Sequence, residues 1–585
     1  MQKVHFLPRR YSAIADIFVL LVLATVIYGV LTFAEKWTMS YHPVTDIDLS
    51  IKSLPIYALL SALRALLAYF LSLTFTLIVG YWAAKSRAAE KIIIPVLDIL
   101  QSIPVLGFLP GLVLGLVAMF PSTNIGLELA AVIMIFTGQV WNMTFSFYSS
   151  LKSIPTDLTE ASHVLGMDWK RRLVHLELPF SAVNLSWNSL MSMAGGWFFL
   201  SVCEAFTLGD KEFRLPGLGA YMAVAIDAGN KQAMLMGIAA MVVVIVGMDV
   251  LIWRPVLAWT HRFRLEDVPG VTAEEPLISL MIRESNIYRF LRAWLPWLGG
   301  IITNLFRFMK LPLLSRWTAD FPRLGLGSTS GLVPPKLLMH FGRVLGFIVI
   351  AFMVTKLFAL LKVFSGVKVE VWLTVAVDAF WTFLRVLVTL ILGSLWAVPV
   401  GIWLGTSPRR VRIAQPIIQV LASFPAPMLY PLALAIFLKV NLNFEIGAMF
   451  LMMLGVQWYI LFNVLAGAMR IPVELMHITS LLEMRPLKRW RTLYLPAVFP
   501  ALVTGWITAA GGAWNASIVA EVVSYGGQTL SARGLGATIS KAASEANFSL
   551  LAVSLTVMVF VVVLLNRTFW ARVYRISQNR FRMDL

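Results

Sequence analysis

The residues best suited to chemistry in this chain come as two copies of one loop, 317 positions apart. The first copy runs from Ile154-Pro155 to Leu178-Pro179 and the second from Ile471-Pro472 to Leu495-Pro496; nine of the 26 aligned positions are identical. In the first copy Glu160 offers a carboxylate to a partner's Arg or Lys, and the small Ala161 and Ser162 leave room for close approach. Gly166 then supplies the bend between two short helices. The second copy carries His477, Ile478 and Thr479 at the same places, with Glu483 in place of the glycine. The two copies are therefore chemically unequal.

A second set of polar residues lies inside apolar stretches, where a charge is costly and is usually functional or paired. Glu204 and Glu521 each follow a tryptophan, Trp197 and Trp514, by seven residues, which places each pair on one helix face. Two readings stay open for them: carboxylates along a path between the two halves, or carboxylates that cap backbone or form ion pairs within their own half. Gln139, Asn142, Gln457 and Asn515 are further path candidates. The same amides also serve as ordinary glue between helices. A catalytic set is missing from the pattern. None of the seven histidines forms a zinc-protease motif, His175-Leu-Glu177 is a weak signal, and the single cysteine, Cys203, reads as a small buried hydrophobe. No metal site and no enzyme activity are expected.

The elements that position these residues must cross a bilayer. Of 585 residues 59% are apolar and 13% charged, and the mean hydropathy is +0.80, against roughly a quarter charged in soluble domains. The surplus of 18 positive charges sits in short clusters beside apolar runs, such as Lys170/Arg171/Arg172 and Lys488/Arg489/Arg491. That is the signature of cytoplasmic loops rather than of nucleic-acid binding. Spans of about 20 apolar residues are predicted near 12–34, 57–82, 94–119, 127–149, 181–207 and 233–257, and again near 341–361, 374–405, 416–439, 445–467, 498–524 and 549–570. In lipid these must be helices. The expected fold is all-α, with about twelve transmembrane helices in two homologous six-helix halves and both termini cytoplasmic. The expected division is 1–257 for the first half, 258–340 for a cytoplasmic or interfacial linker and 341–585 for the second half. Within the linker, Arg289–Lys310 reads as an interfacial segment and Gly325–Gly331 as flexible.

The duplication extends beyond the loops. At an offset of 317, Gly138, Trp141 and Phe145 match Gly455, Trp458 and Phe462, and Gly217-Leu218-Gly219 matches Gly534-Leu535-Gly536. Pro95, Ser102, Pro104 and Pro110 match Pro416, Ser423, Pro425 and Pro431 at an offset of 321, so an insertion or deletion sits near residue 120.

Glu160-Ala161-Ser162, Gly166 and Leu178-Pro179 together resemble the EAA loop of ATP-binding-cassette importer permeases. The duplicated Trp, Glu and Gly-Leu-Gly positions resemble the nitrate/sulfonate/taurine/bicarbonate branch. This resemblance implies a type I importer-like fold in which two permease domains are fused in one chain in a bacterial inner membrane. It implies that the loops form coupling helices docked on two copies of a cytoplasmic ATPase, which would carry the ATP and magnesium. A periplasmic or lipid-anchored binding protein would deliver a small anion. The chain itself has no Walker-type phosphate loop and no cofactor is expected on it. The rival class is an ion-driven secondary transporter, which is often built from inverted repeats.

Overall fold

The computed structural model describes residues 10–102, 104–263, 364–525 and 528–581, together with Ser285 and Thr355. The span predicted at 341–361 and the segments 289–310 and 325–331 lie outside the described residues, apart from isolated positions. The chain groups into two compact units. In the first, residues 1–26 with 275–368, Ser285 Oγ donates a hydrogen bond to Asp16. The second unit, residues 27–274 with 369–585, holds both copies of the repeat.

Each copy has the same order of elements. The first has a long helix (Leu54–Phe75, continued by a π-helical turn and Tyr81–Lys85), a broken helix (Arg87–Ser102, Val105–Phe108, Leu109–Met119) and a long helix Ile125–Lys152. After the loop come Leu178–Cys203, a two-stranded hairpin (Ala205–Leu208 with Lys211–Arg214), a short helix Leu218–Asp227 and a last span from Lys231 to Thr260. The second copy repeats this as Val369–Gly405, a broken helix (Pro408–Ser423, Ala426–Leu429, Tyr430–Lys439), Phe444–Met469, Leu495–Ala520, a hairpin (Val522–Tyr525 with Gln528–Ser531), Leu535–Ser544 and a last span from Phe548 to Phe581. Two of the three π-helical turns described in the first copy recur in register, Leu173–Glu177 with Trp490–Tyr494 and Asp249–Trp253 with Asn566–Trp570.

Eight described helices are long and apolar enough to cross a membrane, or nine if the bent pair Pro408–Ser423 and Ala426–Lys439 counts as one span rather than a re-entrant loop. Two expectations need correction. The span expected at 416–439 bends by 80° where Phe424-Pro425 interrupts it, and its counterpart at 94–119 is interrupted at Pro104. Proline removes a backbone donor and drives the preceding residue out of helical geometry, and hydropathy does not register this. The spans expected at 181–207 and 498–524 end early, at Cys203 and Ala520, and their last residues are β-strands. The hairpins and the helices that follow them lie at the end opposite the loops, because Leu178–Cys203 and Leu495–Ala520 run from one to the other.

Candidate functional site

At the hairpin end each half is tied together by a buried guanidinium between two carboxylates. Arg64 Nη1 donates to Glu204, while its Nε and Nη2 donate to Glu128 at 2.8 Å each. All three side chains are at most 1% exposed. Glu204 also accepts from Ser61 Oγ (2.7 Å) and from the Gly219 N–H (2.7 Å), and Ser61 Oγ in turn accepts from the Leu218 N–H. The carboxylate therefore holds the turn leading into Leu218–Asp227 against the first long helix. A Cβ at Gly217 would overlap this carboxylate, which explains the glycine on space alone. The second half repeats the device. Arg385 donates to Glu521 and to Glu445 (2.6 Å), and Glu521 accepts from Thr382 Oγ1 (2.8 Å) and the Ala537 N–H (3.1 Å). Here Glu445 is 43% exposed.

A cavity of about 490 Å³ opens between the halves. Its walls come from Ile125–Lys152 and Leu178–Cys203, from their counterparts in the second half, from both broken helices and from the last span of the second half. Trp141, Trp458, Tyr459 and Trp570 make it aromatic; Thr137, Asn142, Thr508 and Asn515 supply neutral polar groups. The charged residues of the described lining are Asp98 and Arg567. The second segments of both broken helices start at its wall, at Val105 and Ala426. Asn515 Oδ1 accepts from the Val105 N–H across the halves (2.8 Å), while its Nδ2 donates to Gly511 O (3.2 Å).

The structure thus separates the eight path candidates. Asn142 and Asn515 line the cavity. Glu204 and Glu521 do not; they are engaged inside their own halves by Arg64 and Arg385. Trp197 and Trp514 are 2% exposed, Gln139 is fully buried beside Ser72 and Met193, and Gln457 is buried. None of these four lines the cavity either. Arg64, Arg385, Glu128 and Glu445 escaped the reading by spans. The two offsets would have found them: Arg64 and Ser61 map onto Arg385 and Thr382 at 321, and Glu128 maps onto Glu445 at 317.

At the opposite end the loops form short helices, Thr156–Val164 and Val473–Leu481, each preceded by its proline. Glu160, Ala161, His477 and Ile478 are exposed. Ser162 and Thr479 face inward instead, their hydroxyls donating to Thr159 O and Met476 O, so they stiffen the loops and offer no outer surface. The ends of the helices present apolar pairs at matched positions, Val164-Leu165 and Leu481-Leu482, each residue at least 65% exposed. Gly166 turns the first loop at φ 62° and Glu483 turns the second at φ 48°. The first loop is also anchored by charge. Its buried Glu177 accepts from Lys85 Nζ (2.5 Å) and has Arg172 Nε within 3.2 Å, where the second loop has Tyr494. Glu90 ties the start of the broken helix to the residues before the first loop through Lys152 (2.8 Å) and Tyr148 (2.5 Å), and these bonds hold its carboxyl below the usual range.

Two helical bundles repeated in the same direction, sharing a cavity and presenting two loop helices at one end, define a duplicated membrane permease. Residues 76–252 and 397–582 each match the family described as the inner membrane component of binding-protein-dependent transport systems, and the chain belongs to that family. It is 28% identical over 142 residues to the nitrate import permease protein NrtB of Leptolyngbya laminosa, covering 24% of this chain and 50% of that protein. It is 30% identical over 135 residues to the bicarbonate transport system permease protein CmpB of Synechocystis sp., covering 23% and 47%. A putative ABC transporter permease protein of Methanocaldococcus jannaschii is 28% identical over 139 residues, covering 24% and 51%. The chain spans about half the length of these curated relatives.

Proposed function

We infer that the chain is the permease subunit that forms the translocation path of an importer for a small anion of the nitrate or bicarbonate kind, driven by separate ATPase subunits. The observation that carries this reading is the cavity walled by both halves, with a loop helix of each half exposed at one end. The basic clusters beside the loops favour that end as cytoplasmic. The exposed Val164-Leu165 and Leu481-Leu482 pairs suit grooves on two ATPase copies, with Glu160 available for a cation at the first. ATP and magnesium belong to those partners. The hairpin end would receive solute from a periplasmic or lipid-anchored binding protein.

The anion assignment draws on the relatives and on the cavity wall. Helix N-termini carry a partial positive charge and accommodate anions; of the two that meet the cavity, the one at Val105 already gives its N–H to Asn515, which leaves the one at Ala426. Asn142 can donate to an oxyanion oxygen without imposing a fixed charge. Transport would proceed by closure of the ATPase pair, which pulls both loops together and changes the end to which the cavity opens.

The test is purification of the tagged chain from its native membrane in mild detergent, followed by native mass measurement and uptake assays in proteoliposomes. Two P-loop ATPases per chain and ATP-dependent uptake of nitrate or bicarbonate are expected. A chain that carries no ATPase, and whose vesicles take up solute only down an ion gradient, overturns the reading.

A further inference from the structure

Besides the bond between Asn515 and the Val105 N–H, a second polar contact among the described residues joins the halves away from the loops and hairpins. Asp249 opens the π-helical turn Asp249–Trp253 in the last span of the first half and is 5% exposed. Gln419 Nε2 donates to its Oδ1, and Arg254 Nε donates to its Oδ2 at 2.8 Å. Gln419 lies on Pro408–Ser423, the first segment of the other half's broken helix.

The repeat supplies the symmetric address. Gln419 maps onto Asp98 at the offset of 321, and Asp249 maps onto Asn566 at 317. Asp98 sits on Arg87–Ser102 and Asn566 opens the turn Asn566–Trp570, and the spans carrying them pack on each other as those of Asp249 and Gln419 do. Both line the cavity. Each cross-half position thus combines one carboxylate with one amide, but the two have traded elements: the carboxylate is on the π turn in one pair and on the broken helix in the other.

We propose that Asp249–Gln419 and Asp98–Asn566 are paired latches between the halves, holding the arrangement seen here, and that any change in which end the cavity opens to must part both. The hydrogen bond that Gln419 donates to Asp249 is charge-assisted and directional, and Asp98 and Asn566 occupy the matching place by the repeat, where the last span of one half meets the broken helix of the other. Within this chain both copies carry one carboxylate and one amide at this place, although the two residue types have exchanged elements. The latch bears on transport only through the permease reading above, but its existence does not depend on that reading.

The test reads the distance between the halves without any ATPase. Cysteines at Val164 and Leu481, matched and more than 80% exposed, are spin-labelled in the full chain in phosphatidylethanolamine/phosphatidylglycerol nanodiscs; the native Cys203 is buried and stays unlabelled. Gln419→Leu breaks one latch while Asp249 keeps Arg254, and loss of one such bond is expected to raise the minor distance population about ten-fold. Gln419→Asn is the milder variant and should shift it in the same direction. Asp249→Asn with Gln419→Asp rebuilds the latch in the polarity of the other pair and should restore the parental distribution. An unchanged distribution in Gln419→Leu and Gln419→Asn, or a double variant that stays shifted, overturns the latch. A shifted and rescued distribution, with no ATP-dependent anion uptake by the complex purified from its native membrane, leaves the latch standing and removes the importer reading.

Discussion

The two loops share a backbone and differ in what holds it. The first turns on glycine and is anchored through Glu177 to Lys85 and Arg172, whereas the second turns on a glutamate in left-handed geometry and has a tyrosine at the anchoring position. The same contrast recurs at the other end, where the ionic cluster of the first half is sealed and that of the second opens to solvent at Glu445. One architecture therefore serves twice with unequal reserves: the first half is built stiff and the second tolerates strain and water.

The largest test of that contrast lies in the guanidinium clusters. Removing one partner of a buried ion pair costs about 3–5 kcal/mol, because the remaining charge is left uncompensated. Arg64→Leu strands two buried carboxylates and is expected to abolish the folded chain in a heat-challenge assay by size-exclusion fluorescence. Arg385→Leu strands one buried carboxylate and one that water reaches, so its loss should be visibly smaller. Equal losses would erase the distinction between sealed and open clusters.

Gly217→Ala and Gly534→Ala sharpen it from the other side. Each added Cβ would overlap the neighbouring carboxylate, Glu204 or Glu521, and overpacking of this kind costs about 1–3 kcal/mol. The two costs should be similar, since both carboxylates are buried; a large difference would show that one turn can move away from its glutamate.

At the loops, Glu160→Ala should lower transport-coupled ATPase activity of the assembled complex more than His477→Ala does. Glu177→Gln should lower it as well, by loosening the first loop. Equal effects of Glu160→Ala and His477→Ala would sink the idea of unequal docking. The smallest effect is expected from Glu483→Gly. A non-glycine residue in left-handed geometry costs roughly 1–2 kcal/mol, and the entropy lost on fixing a glycine offsets part of that. A net gain below about 1 kcal/mol in thermal stability is expected, and a loss would show that the Glu483 side chain makes up for its own strain.

Much of this was legible before any coordinates. The repeat, the helical class and the loop helices followed from Ile-Pro and Leu-Pro boundaries and from runs of apolar residues, because these are local signals. The broken helix is half visible: Pro104 and Pro425 match as repeat positions, but a span judged by length and hydropathy hides an 80° bend. The clusters were illegible to span-by-span reading, because Arg64, Glu128 and Glu204 are brought together from three helices and none announces its partners. Asn142 and Asn515 reach the cavity while Gln139 and Gln457 do not, a matter of helix rotation that a list of polar mid-span residues does not carry.

The exchanged carboxylate and amide at positions 98, 249, 419 and 566 also bear on which halves will assemble. Two first halves placed about the same axis would bring Asp249 against Asp98, carboxylate facing carboxylate, twice over. Two second halves would set Asn566 against Gln419, neutral amides without a charged acceptor. Only the unlike pair gives each carboxylate an amide. Had the halves been made as separate chains, this chemistry alone would disfavour the first from pairing with its own copy, so fusion and electrostatics enforce the same one-to-one partnership.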